Sequence, residues 1–273
     1  MNLIPSNRMM EFRLGFHESG KRCRMHTNID KKSDRDEIAV VDIQLWLNRL
    51  SQGERGTYYA SSHDEGVLTA LALCNASESI VGVIGCERGF YPAMAAFSGA
   101  SAVDIYDIRP VQVNYPEFNA YQIDLSMTPS IRKYDLIMCI STLEHCGLGR
   151  YGDDLNPYGD RRLLAALIRS LKPDGKLIIS LPIGQGILCN NLHRVYSQYR
   201  LSKLTHGSKL IWHTPITDDM WKSVSTQHQP VLVYEQIPQP VFDPDDFKTG
   251  QEFTNPVEVQ NLIRRKRQKT PIK

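Results

Sequence analysis

The sequence has little that would mark a membrane, secreted or metal-stapled protein. No uninterrupted apolar run approaches the roughly 18 residues of a membrane-spanning helix. The start, Met1-Asn2-Leu3-Ile4-Pro5, lacks the basic and long apolar stretches of a signal peptide. The six cysteines (Cys23, Cys74, Cys86, Cys139, Cys146 and Cys189) are scattered without a C-x-x-C pair, which argues against a disulfide framework and a structural zinc site. These absences point to a reduced, cytoplasmic setting. Internal repeats are missing as well. Neither sign of charge dominates: 32 Lys and Arg residues meet 30 Asp and Glu, for a net +2. Charged residues at 23% and hydrophobic residues at 41% are ordinary for a folded chain, so disorder throughout is excluded.

The charges are unevenly placed. The last ten residues hold Arg264, Arg265, Lys266, Arg267, Lys269 and Lys273 and no acid, whereas residues 38–263 carry 18 basic against 24 acidic residues. An acidic body argues against a nucleic-acid groove across the core, and leaves the basic tail free to meet an anionic partner. A length of 273 residues suits one large α/β domain or two smaller ones.

Residues 1–37 read as a polar arm and 38–77 as a helical segment. Within that segment the pattern predicts a short helix over 38–50, and a second from Ser62, where Glu65 completes a capping box. From residue 80 short apolar runs recur between helix-like stretches: Ile80–Ile84, Ala102–Tyr106, Tyr121–Ile123, Tyr134–Ile140 and Lys176–Leu181. Such runs are strands buried on both faces, so residues 78–237 are expected to form a parallel sheet covered by helices. The stripe Leu163, Leu164, Leu167, Ile168 and Leu171 predicts a helix over 160–171, capped by Asp160 and ended by Lys172-Pro173-Asp174-Gly175. Further strands are expected at 209–212 and 231–235, and residues 238–273 read as a Pro-rich irregular segment with the basic tail.

Candidate chemistry gathers at strand ends. Gly85-Cys86-Glu87-Arg88-Gly89 follows the first strand and precedes a helix over 92–97, where glycines let backbone approach a ligand. Asp107 ends the second strand, 22 residues after Gly85, a spacing at which a carboxylate can accept both ribose hydroxyls. Asp124 closes the third. The plain alternative is that the glycines make a tight turn and Asp107 caps a strand. Gly147-Leu148-Gly149-Arg150-Tyr151-Gly152 matches G-x-G-x-x-G, but Asp153-Asp154-Leu155-Asn156-Pro157 intervenes before any helix, and two carboxylates would repel a phosphate. It reads instead as a mobile loop over a cleft. Ser141-Thr142-Leu143-Glu144-His145 lies at the carboxyl end of the fourth strand, so Glu144, His145, Asp153, Asp154 and Asp160 are expected around a substrate. Arg161 and Arg162 either pair with these carboxylates or hold an anionic substrate group. His193 and Arg194 follow the fifth strand, either as further site residues or as an ordinary polar loop.

Taken in order over residues 78–235, these segments resemble the class I S-adenosylmethionine-dependent methyltransferases. The longer motif Glu144 to Asp153, with Asn156-Pro157-Tyr158-Gly159-Asp160 and Asn191-Leu192-His193-Arg194-Val195-Tyr196, is similar to a branch known as a domain of unknown function. The resemblance implies a doubly wound, mostly parallel seven-stranded α/β sheet and S-adenosylmethionine as cofactor. It places Gly85, Cys86, Glu87 and Gly89 in the cofactor loop, with Glu87 where a glycine is commoner. Asp107 with Ile108 would serve the ribose, Asp124 with Leu125 the adenine side, and Ser141 the segment after the fourth strand. The implied reaction is methyl transfer to a small polar or glycan acceptor, a sugar hydroxyl being the first choice. His145 would act as base, oriented by Glu144 or Asp153, with His193 as the alternative base and no metal. Two other readings stand beside it. One is a nicotinamide enzyme, which should carry a Tyr-x-x-x-Lys pair where Tyr196 to Arg200 offers Arg. The other is an inactive scaffold that docks through its basic tail.

Overall fold

The computed structural model describes residues 25–27 and 38–236, except 57, 87, 129, 130, 191 and 207. Most of the polar arm and all of the basic tail lie outside the described residues. Two short strands, Met25–Thr27 (β1) and Ala39–Val41 (β2), precede helices Ile43–Ser51 (α1) and Ser61–Leu73 (α2). Next come Ile80–Ile84 (β3), Phe90–Phe97 (α3), Ala102–Asp107 (β4), Val111–Val113 (β5), Phe118–Gln122 (β6) and Tyr134–Ile140 (β7). A single 3-10 turn, Leu143–His145, leads to Gly159–Arg169 (α4), Leu171–Ser180 (β8), Ile187–Asn190 (β9) and His193–Val195 (β10). The described chain ends with Gln198–Leu204 (α5), Ser208–His213 (β11), Asp218–Lys222 (α6) and Val231–Gln236 (β12).

Seven strands form one sheet in the order β11-β12-β8-β7-β3-β4-β6. The pairs β3/β4, β3/β7, β4/β6 and β7/β8 are parallel, while β12 runs antiparallel to both β8 and β11. Successive side chains of a strand point to opposite faces, and both faces here are buried. In β7, Leu136, Met138 and Ile140 join the core under α1, α2 and α3. Ile137 and Cys139 join the core under α4 and α5. In β12, Val231 and Val233 divide from Leu232 and Tyr234 in the same way. Burial on both sides is why these strands read as unbroken apolar runs. The fold is a doubly wound, Rossmann-like α/β sheet, and residues 41–71 share its core through Val41, Ile43, Trp46, Leu50, Val67, Ala70 and Leu71.

Several local expectations give way. The stretch 38–50 is not all helix: Ala39–Val41 pairs in parallel with β5, and α1 starts only where Asp42 accepts the Leu45 N–H at 2.9 Å. The helix expected from Ser62 begins at Ser61, which puts Ala60 at the N-cap, a residue with no polar side chain to cap with, and the nearby carboxylates have other partners. Asp64 accepts the Gly56 N–H at 2.6 Å, and Glu65 meets Arg55 at 3.2 Å. The third strand begins at Phe118, three residues before the apolar run Tyr121–Ile123, because Phe118 pairs with Val103 of β4. Lys172–Gly175 does not separate helix from strand. β8 already pairs through Leu171 with Tyr134, and a register shift after Tyr134 absorbs the turn, with Asp174 at φ 63. Two small sheets, β1-β9-β10 and β2-β5, complete the fold.

Candidate functional site

The chain order places β4 and β6 on one side of β3, and β7 and β8 on the other. The loops leaving β3 and β7 therefore diverge, and open a crevice at their carboxyl ends. A cavity of about 390 Å³ fills this crevice. Gly85 (φ 79) turns the chain at its floor, where an added Cβ would lie 2.3 Å from Thr142 Oγ1. A side chain there would push the β3 and β7 loops apart, so the glycine serves a close approach of two loops as well as an open backbone. Of the residues singled out from sequence, Gly85, Cys86, Asp107, Ile108, Asp124, Leu125, Ser141, Glu144, His145, Asp153 and His193 all border this cavity. Gly89 does not: it precedes α3 at φ 86, and its Cα faces Val41, whose Cγ1 would lie 2.3 Å from a Cβ. Glu87 lies outside the described residues.

Asp107, at the end of β4, is buried and already held. Its Oδ2 accepts the Cys86 N–H at 2.7 Å, which ties the β3 turn to β4. Arg109 donates from its backbone N–H and Nε to Oδ1 and from Nη2 to Oδ2, at 2.9, 3.1 and 3.0 Å. The same guanidinium reaches the Cys86 carbonyl at 2.9 Å and lies 5.0 Å from the Tyr151 ring centroid. Asp124 shapes its own loop, with Oδ1 accepting from the backbone and hydroxyl of Ser126 at 2.9 and 2.7 Å.

The opposite wall is built on the loop after β7. Ser141 takes a left-handed φ of 50 and donates its hydroxyl to Glu144 Oε1 at 2.6 Å. Tyr59 donates to the same Ser141 oxygen at 2.6 Å, and Gln229 Nε2 donates to the Tyr59 oxygen at 3.0 Å. This relay orders every proton toward Glu144. The Glu144 side chain is 1% exposed, and its Oε2 is buried with no hydrogen-bond partner. Burial pushes its pKa up to about 7, against the opposing pull of the Ser141 hydroxyl.

His145 Nε2 lies 3.7 Å from Glu144 Oε1, while its Nδ1 lies 2.5 Å from the Leu192 carbonyl and 3.2 Å from Arg150 Nη1. A carbonyl can only accept, so the shorter contact puts the hydrogen on Nδ1 and leaves the Nε2 lone pair toward Glu144. Burial first, and then the charge of Arg150, push the His145 pKa well below its ordinary value. The His193 ring lies 6.2 Å from that of His145, its Nε2 is buried without a hydrogen-bond partner, and burial lowers its pKa to about 4.

The loop expected to be mobile is pinned from within. Asp153 accepts the N–H groups of Gly147 and Tyr151 at 2.6 and 3.3 Å, and Asn156 N–H returns to the Gly147 carbonyl at 2.9 Å. Glycines 147, 149 and 152 all have positive φ, and Leu148 is fully buried. Asp153 thus spends its oxygens on the loop, and the carboxylate beside His145 is Glu144.

Asp160 and Arg194 do not join the cavity wall. Asp160 is fully buried in the first turn of α4, where it meets Arg200 Nη2 at 3.0 Å, Arg194 Nε at 3.8 Å and the Tyr196 hydroxyl at 3.0 Å. These two arginines hold its pKa down at about 2. It is an internal ion pair, not the cap of α4, whose N-cap Tyr158 has no side-chain bond. Arg194, also buried, donates to the carbonyls of Cys146 and Glu144 at 2.5 and 3.4 Å, and so braces the Glu144 loop from behind. Asp154 is exposed. Arg161 lies over the Tyr158 ring and Arg162 Nη1 approaches Met127 Sδ at 3.7 Å.

The sequence reading missed Tyr59, Gln229, Arg109, Arg150 and Tyr151 as wall residues. Arg109 carried a usable signal, a cation two residues past a strand-end acid. Tyr59 and Gln229 meet across 170 positions and carried none.

A crevice at the switch point of a doubly wound sheet is where proteins of this fold class collect their ligands, and here it is flanked by strand-end carboxylates. A family model, described as a Caenorhabditis protein of unknown function, DUF268, matches residues 107–231. No curated protein matches the chain. Among solved structures, the chain is similar to TehB from Haemophilus influenzae, at 12% identity over 70% of this chain and 67% of that one, with a TM-score of 0.48. It is also similar to the Burkholderia thailandensis 1,6-didemethyltoxoflavin-N1-methyltransferase with bound 1,6-didemethyltoxoflavin and S-adenosylhomocysteine, at 18% identity, 71% and 86% coverage and a TM-score of 0.46. N-methyltransferase NodS from Bradyrhizobium japonicum, with S-adenosylhomocysteine, gives 13% identity, 72% and 98% coverage and a TM-score of 0.43. No helix among the described residues is long and apolar enough to cross a membrane.

Proposed function

We propose that the protein transfers a methyl group from S-adenosylmethionine to a hydroxyl of a small polar acceptor, such as a sugar. The observation that carries this reading is convergence. Strand-end acids of β4 and β6 and the tuned carboxylate after β7 border one cavity, and Gly85 keeps backbone open at its floor. The cavity lining supports an adenosine group: Ile108, Ile123 and Leu125 offer apolar contact beside Asp124, and in this reading Asp107 would take the ribose once Arg109 yields. When bound, the cofactor supplies a methyl group activated on a sulfonium sulfur.

The rest belongs to this chain. Its walls align acceptor and methyl and exclude water. A hydroxyl acceptor must lose a proton, and the base best matched to neutral pH is Glu144, whose pKa lies near 7 and whose Oε2 has no other partner. His145 and His193, held neutral by burial, are the weaker bases. Loss of the acceptor proton to Glu144 leaves the relay from Gln229 through Tyr59 and Ser141 holding Oε1 in place.

Calorimetry of the folded full chain with S-adenosylhomocysteine tests the reading. Stoichiometric binding is expected, and its absence overturns methyl transfer. The second reading, an inactive scaffold, is favoured by one contact, the Arg109 side chain seated on Asp107. That reading predicts no binding in the Arg109→Ala variant either.

A further inference from the structure

Arg150 borders the same cavity, and among the described residues no carboxylate lies within ion-pair distance of it, although the charge of Glu144 is near enough to act on it. Its guanidinium carries a fixed positive charge. The other charged groups of the cavity wall have partners: Arg109 has Asp107, Asp153 has backbone N–H groups, Asp124 has Ser126, and Glu144 has Ser141 at Oε1. Among the described residues no carboxylate forms an ion pair with Arg150, and its Nε is buried without an acceptor.. Among the described residues its one hydrogen-bond contact is Nη1 against His145 Nδ1 at 3.2 Å, and that nitrogen already carries a hydrogen for the Leu192 carbonyl. Two donors face each other there. Partial compensation comes from the face of Tyr151, with the Arg150 guanidinium 5.0 Å from the ring centroid, and from the charge of Glu144. A partly buried cation facing donors is costly unless an acceptor completes it.

We propose that Arg150 receives an anionic group of the acceptor, so that the methylated compound is an acid, carrying a carboxylate or phosphate besides its hydroxyl. This rests on the methyl-transfer reading and narrows its acceptor class. Arg150 belongs to the acceptor side because its neighbours are His145 and Tyr151, and the His145 ring in turn faces His193 and Glu144. An anion on a planar guanidinium makes charge-assisted bonds that fix one end of the acceptor and swing its hydroxyl toward Glu144. Arg150 is thus a positioning residue, and the proton moves elsewhere.

The histidines beside Arg150 report the anion directly. In the full chain with nitrogen-labelled histidine, His193 titrates near pH 4, depressed in part by Arg150. Sodium trifluoroacetate, a carboxylate still ionised near pH 4, or inorganic phosphate, compared with sodium chloride at equal ionic strength, is expected to raise that midpoint by roughly one pH unit. Arg150→Gln should raise the midpoint without any anion and abolish the response, and Arg150→Lys should retain a weaker response. Trifluoroacetate and phosphate acting at different concentrations tells a carboxylate acceptor from a phosphate one. No effect beyond chloride, or an equal effect in folded Arg150→Gln, overturns the proposal.

A calorimetric arm separates the acceptor from the cofactor. S-adenosylhomocysteine carries its own carboxylate and methylthioadenosine does not, and Arg150→Gln should change the affinity of neither by more than about twofold. A tenfold loss confined to S-adenosylhomocysteine gives Arg150 to the cofactor and overturns the acceptor assignment. If neither compound binds the wild-type chain, the methyl-transfer reading falls and takes the acceptor assignment with it, while the histidine titration still reads the anion site by itself.

Discussion

Arg109 grips Asp107 from two positions along the chain, with Nε 3.1 Å from Oδ1 and Nη2 3.0 Å from Oδ2. The carboxylate that the sequence assigns to a ribose is therefore already paired. Any ribose hydroxyl that approaches Asp107 competes with a guanidinium that is mostly shielded from water. Arg109→Ala is expected to tighten S-adenosylhomocysteine binding several-fold, because no pair has to open first. Asp107→Ala is expected to weaken it strongly and also to lower stability by about 1–3 kcal/mol, since the Cys86 N–H and Arg109 lose their acceptor. Calorimetry and urea denaturation of the two variants read both effects, and weaker binding by Arg109→Ala would contradict the competition.

Glu144 makes stability fall as pH rises. Its folded pKa of about 7 stands above the ordinary 4.5, so between those values the unfolded chain has released a proton that the native chain still holds. The loss is complete above the folded value and amounts to roughly 3 kcal/mol. Glu144→Gln should remove that slope from urea midpoints measured between about pH 5 and pH 8. It should also cut turnover by about a hundredfold or more while S-adenosylhomocysteine still binds. In the wild-type chain, turnover should rise with pH through a midpoint near 7.

Asp160 has the opposite sign. Its folded pKa of about 2 lies below the ordinary 3.8, so its stabilisation is fully present above 3.8 and disappears as pH falls toward 2. Asp160→Asn leaves Arg200 and Arg194 without their buried counter-charge and should cost about 3–5 kcal/mol in urea denaturation at neutral pH. A loss below about 1 kcal/mol would show that the three charges do not act as a unit.

Gly147 tests whether the loop beside the cavity is pinned. Its φ is 78, and an added Cβ would lie 2.0 Å from the Asn156 carbonyl oxygen. Gly53 has a similar φ of 82 with nothing within 4 Å of the added atom. Gly53→Ala should therefore cost only the left-handed strain, about 1–2 kcal/mol. Gly147→Ala should cost distinctly more and broaden the His145 resonance, and equal melting temperatures for the two variants would refute the pinning.

The strands were legible wherever burial on both faces forced an apolar run, as in β3, β4, β7 and β12. They were illegible where the pairing segments are only three residues long, too short to show a period, as in β2 with β5 and β1 with β9. In the site, Asp107, Ser141 and Glu144 could be found because a carboxyl-terminal strand end in a parallel sheet is a position that sequence order defines. The roles of the charges around them could not. Asp160 and Arg194 sit in the same motif as Glu144 and His145, and nothing local says that the first two face each other inside the protein. Arg150 and Arg109 are both cations near acids in sequence, yet of the two only Arg109 forms an ion pair with a carboxylate among the described residues.

Sequence alone determined the sheet and the place of the crevice, because hydrophobic periodicity and strand order are properties of the chain as a line. Only the tertiary structure decided which ionisable groups are neutralised, which are desolvated, and which still lack a partner. Electrostatic energy depends on distance and on the exclusion of water. Both are set by residues as remote as Tyr59 and Gln229, which no local pattern brings together.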